Sequence, residues 1–278
     1  MNLLEIVKSL EGKSDSERKT VILDHLKVLD LVAELQKYSI PLWGEDYHGE
    51  NIIVKSGKKY EIGIGSHYDA VPLSPGANDN ASAVSVTLDL LKRFKERPLK
   101  NIGIRAFFFD DEEEGLVGSK AYIKSQGLNG LIGLYNMEIV GRGDKIAIWG
   151  DEEIYNGKLL TAFKEVAESN NTPYFLFPQI GELLSNTGDH RSFNEAGLKE
   201  AFCITTISRE DLEVALKYLA PLKTDPSIAK KVYSEAPLFR HYHKPTDNSK
   251  ELNERTLQLV SNLIYKSIMK IDSTFSTN

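Results

Sequence analysis

Two short apolar runs constrain the fold of this chain more than any other feature. The segments IRAFFF, at 104–109, and AFCITTI, at 201–207, are apolar almost without interruption. A strand with one solvent-exposed face would alternate apolar and polar residues, whereas a strand covered on both faces need not. The two runs therefore predict a sheet that lies between two layers of helices.

Strand and helix patterns alternate along most of the chain. Helical spacing predicts helices over 2–10, 14–38, 81–97, 118–126, 156–170 and 251–271, with Asp15 and Ser16 as N-cap side chains for the second. Strands are predicted at ENIIVKSG and YEIGIGSHYD, as a hairpin pair, and at NIGIRAFFFDD, LIGLYNMEIV, KIAIWG and KEAFCITTI. We therefore predict the α/β class: a three-layer α/β/α sandwich around a mixed, mainly parallel central sheet, with 1–278 as a single domain.

A charged and largely helical stretch, 208–240, interrupts this alternation before the HYHKPTD segment. It is either a surface excursion or a lid or wall of the active site, since it leads directly into a candidate metal ligand.

Composition and charge exclude several classes of partner. Of 278 residues, 41% are hydrophobic, and the net charge of −6 is not accompanied by any basic stripe. We therefore expect neither a nucleic-acid nor a membrane partner. The N-terminal segment MNLLEIVKSLEGKSDSERK lacks the features of a signal peptide, which predicts a cytoplasmic protein.

The only cysteine, Cys203, excludes an intramolecular disulfide. It lies in an apolar run, where an inert buried thiol is the main interpretation. A Cys/His nucleophile is the alternative, although no base lies nearby in the sequence.

Histidine and carboxylate residues fall at the predicted ends of separate strands. His67 ends the strand IGSH, and Asp69, two residues on, could fix the tautomer of its ring. Asp79 lies in the turn GANDNASA, where it could be a helix cap or a metal ligand. Taken alone, each feature favours a structural interpretation.

An acidic run and two further residues extend this pattern. Five acids, 110–114, follow the buried phenylalanines, and their mutual repulsion would be relieved by a cation. Glu138 ends another strand, and His243 precedes a proline-containing loop. The combination of histidine and carboxylate is one that zinc accepts, whereas an acidic run by itself usually indicates a solvated surface.

Taken in order, the motifs SHYD, GANDNASA, EEEGLVGS, NMEIVG, TGDHRSF and YHKPTD resemble those of the co-catalytic zinc aminopeptidases. The relatives of that family include glutaminyl cyclases and transferrin-receptor-like ectodomains. The resemblance runs from about Glu50 to the C-terminus.

The resemblance implies a role for each matching position. One zinc ion would be held by His67, Asp79 and Glu138, and the other by Asp79, Glu113 and His243, with Co²⁺ or Mn²⁺ as substitutes. Glu112 would be the general base, Asp69 the partner of His67, Tyr242 a donor to the developing oxyanion, and Asp247 a support for the loop of His243. The peptide bond between Asp79 and Asn80 would be cis.

Glu138 departs from the family, which most often has aspartate there. The segment with Asp189, His190 and Arg191 is not assigned to the metal. Asp189 and His190 are expected to shape the substrate pocket or cap a short helix, and Arg191 is a candidate contact for a substrate carboxylate.

The function that the resemblance implies is hydrolysis of N-terminal residues from peptides, by a zinc-activated bridging water and a glutamate base. One alternative is a glutaminyl-peptide cyclotransferase with a single zinc, and another is a non-catalytic scaffold of the same fold.

Overall fold

The computed structural model describes residues 1–150, 154, 156–178, 188–222 and 225–276. Its strands are β1 (Glu34–Leu42), β2 (Glu45–Lys55), β3 (Glu61–His67), β4 (Gly103–Phe109), β5 (Leu131–Met137), β6 (Lys145–Gly150), β7 (Tyr174–Pro178) and β8 (Ala201–Ile207). Its α-helices are α1 (Leu3–Leu10), α2 (Asp15–Val28), α3 (Ser82–Glu96), α4 (Val117–Gln126), α5 (Lys158–Ser169), α6 (His190–Glu195), α7 (Arg209–Leu222), α8 (Ala229–Glu235) and α9 (Glu254–Thr274). Short 3₁₀ turns lie at Pro226–Ile228, Pro237–Arg240 and Ser249–Glu251.

The strands form one sheet in the order β1-β2-β4-β3-β5-β8-β6-β7. The pairs β4–β3, β3–β5, β5–β8 and β6–β7 are parallel, and the other three pairs are antiparallel. Helices α1, α3, α5 and α9 pack together on one face, while α4 and α6 cover part of the other. The predicted fold class, a sandwich around a mixed and mainly parallel sheet, is confirmed.

Strand β4 shows why its sequence is apolar throughout. Phe108 points into the larger core, which also contains Ile64 and Tyr135, while Phe107 and Phe109 point into the core on the opposite face. All three phenylalanines are fully buried. Both faces of the central strands are therefore covered, as the unbroken apolar runs predict.

Two predicted elements differ from the structure, and one strand was not predicted. The second helix ends at Val28 rather than at Tyr38, and residues 34–42 form the edge strand β1; its N-cap is Ser14 rather than Asp15 or Ser16. The predicted hairpin of β2 and β3 is wrong, because β4 lies between them. Strand β7 was missed. The helix and strand patterns at the remaining predicted positions are confirmed to within a few residues.

The topology places the ends of three strands side by side. β3 lies between β4 and β5 and is parallel to both, and the register pairs His67 with Phe109. The residues that follow these strands, including the acidic run and Glu138, therefore meet at one edge of the sheet, where ligands of α/β proteins commonly bind. Among the described residues, no helix has the length and apolar character needed to cross a bilayer.

Helix α9 is attached to the start of β4 by the carboxylate of Asp272. This group accepts hydrogen bonds from the backbone N–H groups of Lys100, Asn101 and Ile102, at 2.9, 2.7 and 3.0 Å. Burial favours the neutral acid, but the three hydrogen bonds outweigh it and hold the pKa of Asp272 below its ordinary value of 3.8.

We expect Asp272→Asn to lower the free energy of unfolding at pH 7 by about 1–3 kcal/mol, because a neutral amide accepts these bonds less strongly and adds a donor. Since the folded-state pKa is depressed, the carboxylate contributes its stability above the unfolded-state pKa and loses it as pH falls through the folded-state value. Urea unfolding at pH 7 and at about pH 3, which lies below the ordinary value of 3.8, measures both effects. Asp144→Asn, on the surface, is the matched control and should change little; a pH-independent difference for Asp272→Asn would contradict this account.

Candidate metal centre

His67 is the centre of a cluster of carboxylates formed by Asp69, Asp79, Glu112 and Glu138. It is the last residue of β3 and is 1% exposed. Its Nδ1 atom lies 3.2 Å from Oδ1 of Asp69, and its Nε2 atom lies 3.4 Å from Asp79 and 3.1 Å from Glu138. Asp69 thus faces one ring nitrogen and leaves the other directed at the carboxylates, the arrangement found for metal-binding histidines.

Asp79 connects the two halves of the cluster. Its Oδ1 atom faces His67, while its Oδ2 atom lies 3.2 Å from Nε2 of His243. The turn that carries it is held by Asp247, whose carboxylate accepts from the backbone N–H groups of Asn78 and Asp79 at 3.0–3.1 Å. The peptide bond after Asp79 is cis. Because its two oxygens face different histidines, the carboxylate of Asp79 can face two ions at once.

Glu113 and His243 form the second half. Nε2 of His243 lies 3.0 Å from Oε2 of Glu113. The backbone N–H of Glu113 donates to Oδ2 of Asp69 at 3.0 Å. Asp69 therefore contacts both His67 and the acidic loop, which is formed by residues 110–115. His243 is a third exposed, which leaves this side of the cluster open to solvent.

Glu138 reaches the cluster although it is longer than the aspartate usual at this position. Its Oε1 atom accepts from the side-chain amide of Asn136 at 3.0 Å, and its Oε2 atom accepts from the side-chain amide of Asn80. Gly188 lies against it, because a Cβ there would come within 3.0 Å of Oε1. The two amides and the glycine fix the longer arm with Oε2 toward His67.

The structure thus brings all five predicted ligands together. Three groups each have ligand atoms within 4.8 Å of one another: His67, Asp79 and Glu138; Asp79, Glu113 and His243; and His67, Glu112 and Glu113. The first two are the sets that the resemblance implies, and Asp79 is common to both. Glu112 lies beside them, with Oε2 3.8 Å from Nε2 of His67, while Glu114 is exposed.

The crowding of carboxylates perturbs their ionisation. Burial raises the pKa of Glu112 well above its ordinary value, and repulsion by Glu138 adds to this against the attraction of His67. Burial and the charge of Asp79 raise the pKa of Glu113 to about 7. Burial alone would lower the pKa of His243, but hydrogen bonds with Asp79 and Glu113 raise it to about 9. Such shifts are typical of functional sites.

A pocket of about 110 Å³ opens beside His67, Glu112 and Glu138. Its other walls are mostly apolar or aromatic: Ile139, Trp149, Cys203, Thr205, Tyr233, Leu238, Phe239 and Tyr242, with Gly188. Tyr233, Leu238 and Phe239 belong to 208–240, so that this segment forms a wall of the pocket in the structure. Whether it moves as a lid stays a prediction.

Tyr242 stacks on His243, with ring centroids 3.7 Å apart. Burial and nearby carboxylates, Asp79 first among them, raise its pKa, so that the phenol is protonated and able to donate.

The structure also places the residues of the segment 189–191 and Cys203, which the sequence analysis noted. Asp189 is fully buried, and burial followed by the charge of Glu138 raises its pKa to about 8. It is the N-cap residue of α6, the position that one of the two expected roles requires, but its side chain makes no capping hydrogen bond. His190 is also fully buried, Arg191 lies 3.5 Å from Glu195, and Cys203 is a buried thiol in the pocket wall whose pKa burial raises.

Three supporting residues were not identified from the sequence. Asn136 could have been found, because it lies two residues before Glu138 on the same strand and thus on the same face. Asn80 was noted only as part of a turn. Trp43, at the β1–β2 turn, packs on Gly115 of the acidic loop, where a Cβ would lie 2.8 Å from its ring.

Fold and site together define the class: an α/β/α protein whose sheet edge carries a cluster of histidines and carboxylates that could hold metal. The model of Peptidase family M28 matches residues 51–268, and the chain belongs to this family. The suspected family is therefore confirmed.

Individual relatives agree with this assignment. The chain is 28% identical to aminopeptidase YwaD of Bacillus subtilis (strain 168) over 222 residues, which cover 74% of this chain and 41% of that protein. The chain therefore spans about two fifths of the length of this curated relative.

Solved structures give the same fold. A zinc aminopeptidase from Bacillus subtilis superposes with a TM-score of 0.62 and 23% identity, covering 80% of this chain and 50% of that one. The glutaminyl cyclase of an Acidobacteriales bacterium superposes with a TM-score of 0.74 and 17% identity, covering 99% of this chain and 94% of that one.

We expect Asp69→Asn to weaken metal binding by about 10–100-fold, the range typical for residues that orient metal ligands. An asparagine oxygen can still accept from Glu113, but its NH₂ group would then face Nδ1 of His67 and favour the tautomer with the proton on Nε2. Zinc titration against a competing chelator measures the affinity. Asp15→Asn is the control, because Asp15 accepts one N–H from the same loop, that of Ala70, which an amide oxygen can also do; equal effects of the two variants would contradict the tautomer argument.

Proposed function

We propose that the protein is a two-metal, zinc-dependent aminopeptidase that removes N-terminal residues from peptides. The observation that carries this proposal is the position of Asp79, whose two carboxylate oxygens face two different histidines. Membership of a peptidase family and the resemblance to zinc aminopeptidases support it. A cytoplasmic location and a peptide as the partner remain predictions.

The residues present suit two zinc ions. Each proposed ion has one imidazole and two carboxylates, with Asp79 shared, and a catalytic zinc site commonly offers three protein ligands and an open position. Oε1 of Glu113 is buried and accepts no hydrogen bond from the described residues, and Oδ2 of Asp79 is buried with Nε2 of His243 3.2 Å away. A cation would satisfy these atoms and relieve the repulsion among the carboxylates.

When bound, zinc would polarise the scissile carbonyl and make a water molecule more acidic. Glu112 is outside the two sets that share Asp79, although it also forms a group with His67 and Glu113. Its Oε2 atom lies 3.8 Å from Nε2 of His67, which would place it to accept the proton of the attacking water. It would then deliver this proton to the leaving amine, which makes it the general base and then the general acid.

The remaining residues would hold the substrate. The carboxylates would attract the terminal ammonium of a peptide, and the phenol of Tyr242 could donate a hydrogen bond to the developing oxyanion. The aromatic wall formed by Tyr233 and Phe239 would exclude water from the reacting groups.

A glutaminyl-peptide cyclotransferase with a single zinc is the second candidate. The observation that favours it is the end-to-end likeness of the fold to a glutaminyl cyclase, whereas the chain covers only half of the Bacillus zinc aminopeptidase. The two complete ligand sets favour the peptidase.

Metal content and products separate these candidates. We expect two zinc ions per chain by elemental analysis, and release of free N-terminal amino acids from a panel of aminoacyl amides and peptides. One ion, together with formation of pyroglutamyl peptide from N-terminal glutamine, would favour the cyclase; no bound metal and no turnover would favour a scaffold.

We expect Glu112→Gln to lower turnover by roughly two orders of magnitude or more, since an amide cannot accept the proton of water. Metal content should stay at the wild-type value. Glu113→Gln should instead weaken one of the two ions, because it removes a charged ligand. Metal analysis beside turnover distinguishes the two variants; the reverse pattern would show that the roles within the acidic run are shifted by one residue.

A further inference from the structure

Arg18 of α2 is a buried cation that contacts the loop between His67 and Asp79. It is 1% exposed, although it lies outside the 51–268 region that matches the family. Its Nη1 atom donates to the carbonyl of Tyr68 at 3.2 Å, and its Nη2 atom donates to the carbonyls of Pro75 and Gly76 at 2.6 and 3.1 Å. Tyr68 follows His67 directly, and Gly76 opens the turn of Asp79.

The same turn is held from its other side by Asp247. Arg18 binds carbonyl oxygens before the turn, and Asp247 binds the N–H groups of Asn78 and Asp79 within it. A cation therefore holds the acceptors and an anion holds the donors of one short segment. These are charge-assisted hydrogen bonds, which are stronger than neutral ones.

Geometry leaves little freedom for the segment between these two groups. Gly76 has a φ of +59°, and a Cβ at this residue would lie 2.4 Å from Nη2 of Arg18, so that the guanidinium rests directly against the backbone. The first turn of α2 makes a further contact, since Asp15 accepts from the N–H of Ala70 at 3.3 Å. Helix α2 is thus docked on the loop between His67 and Asp79.

We propose that Arg18 is a positioning residue of the metal centre, which sets the distance between His67 and Asp79 through the carbonyls of the loop that joins them. This rests on the proposed function in one respect, namely that the centre binds metal. The N-terminal segment is then part of the functional unit.

Arg18 could act on the metal centre through its charge or by positioning the loop, and the two roles predict opposite effects of its removal on zinc affinity. The guanidinium is a positive charge near Asp69, Asp79 and Asp247, so that its electrostatic effect on an incoming dication is repulsive. If charge dominated, Arg18→Met would bind zinc more tightly. If positioning dominates, as we propose, the variant binds zinc more weakly.

The test is the zinc affinity of the full chain, measured by competition with a chelator for wild type, Arg18→Met and Arg18→Lys. We expect both variants to weaken binding of both ions by about 10–100-fold, because Asp79 is shared and residues supporting metal ligands typically have effects of this size. Lysine keeps the charge but lacks the planar fork that reaches several carbonyls, and should therefore not rescue.

Lys13→Met is the matched control for charge, because Lys13 is a partly exposed cation just before the same helix. It should leave the affinity within about twofold, a change of about 0.4 kcal/mol in binding free energy. Circular dichroism and urea unfolding establish that each variant is folded at the temperature of the titration.

Each outcome bears on one proposal. Tighter binding by Arg18→Met, or unchanged affinity in a folded Arg18 variant, would overturn the positioning role. Full rescue by Arg18→Lys would also overturn it, since the planar fork that reaches several carbonyls would then be dispensable. A wild-type chain that binds no zinc would instead overturn the proposed function.

Discussion

Repulsion among buried carboxylates is the constraint on which the rest of the structure depends. The buried His67 is surrounded by Asp69, Asp79 and Glu138. Glu113 lies beside His243, and Glu112 adds a further acid near His67. Bringing these charges out of water is unfavourable unless cations or hydrogen bonds compensate for them. The supporting structure supplies part of the compensation through Asn80, Asn136 and backbone N–H groups, and a pair of metal ions would supply the rest.

The sheet topology makes this arrangement possible. β4 and β5 have apolar side chains in the cores on both faces, while β3 places Ile62 and Ile64 in one core and packs Gly63 closely against Leu134 on the other face. The polar residues after these strands therefore have fixed starting points. Parallel neighbours direct those residues to the same edge. Residues separated by most of the chain, such as His67 and His243, can then lie on either side of one carboxylate.

Sequence reasoning predicted the parts that depend on local pattern. The strands around IRAFFF and AFCITTI follow from burial on both faces, and the ligand candidates follow from motifs at strand ends. It failed at β1, because ELQKYSIPL contains good helix formers and continues a helical pattern, and tertiary pairing with β2 decides the outcome. The predicted hairpin failed because adjacency in sequence does not reveal that β4 inserts between β2 and β3. Arg18 was missed because its partners are backbone carbonyls about fifty residues away, which carry no sequence signature.

The positions of the two tryptophans have a spectroscopic consequence. Trp43 packs on Gly115 of the acidic loop, whereas Trp149 lines the pocket and stacks on Phe177 with ring centroids 4.7 Å apart. The chain contains no other tryptophan, so that its tryptophan emission arises from these two places. One indole is sensitive to the loop that carries Glu112 and Glu113, and the other to whatever occupies the pocket. The protein thus carries one intrinsic fluorophore beside this loop and a second one in the pocket wall.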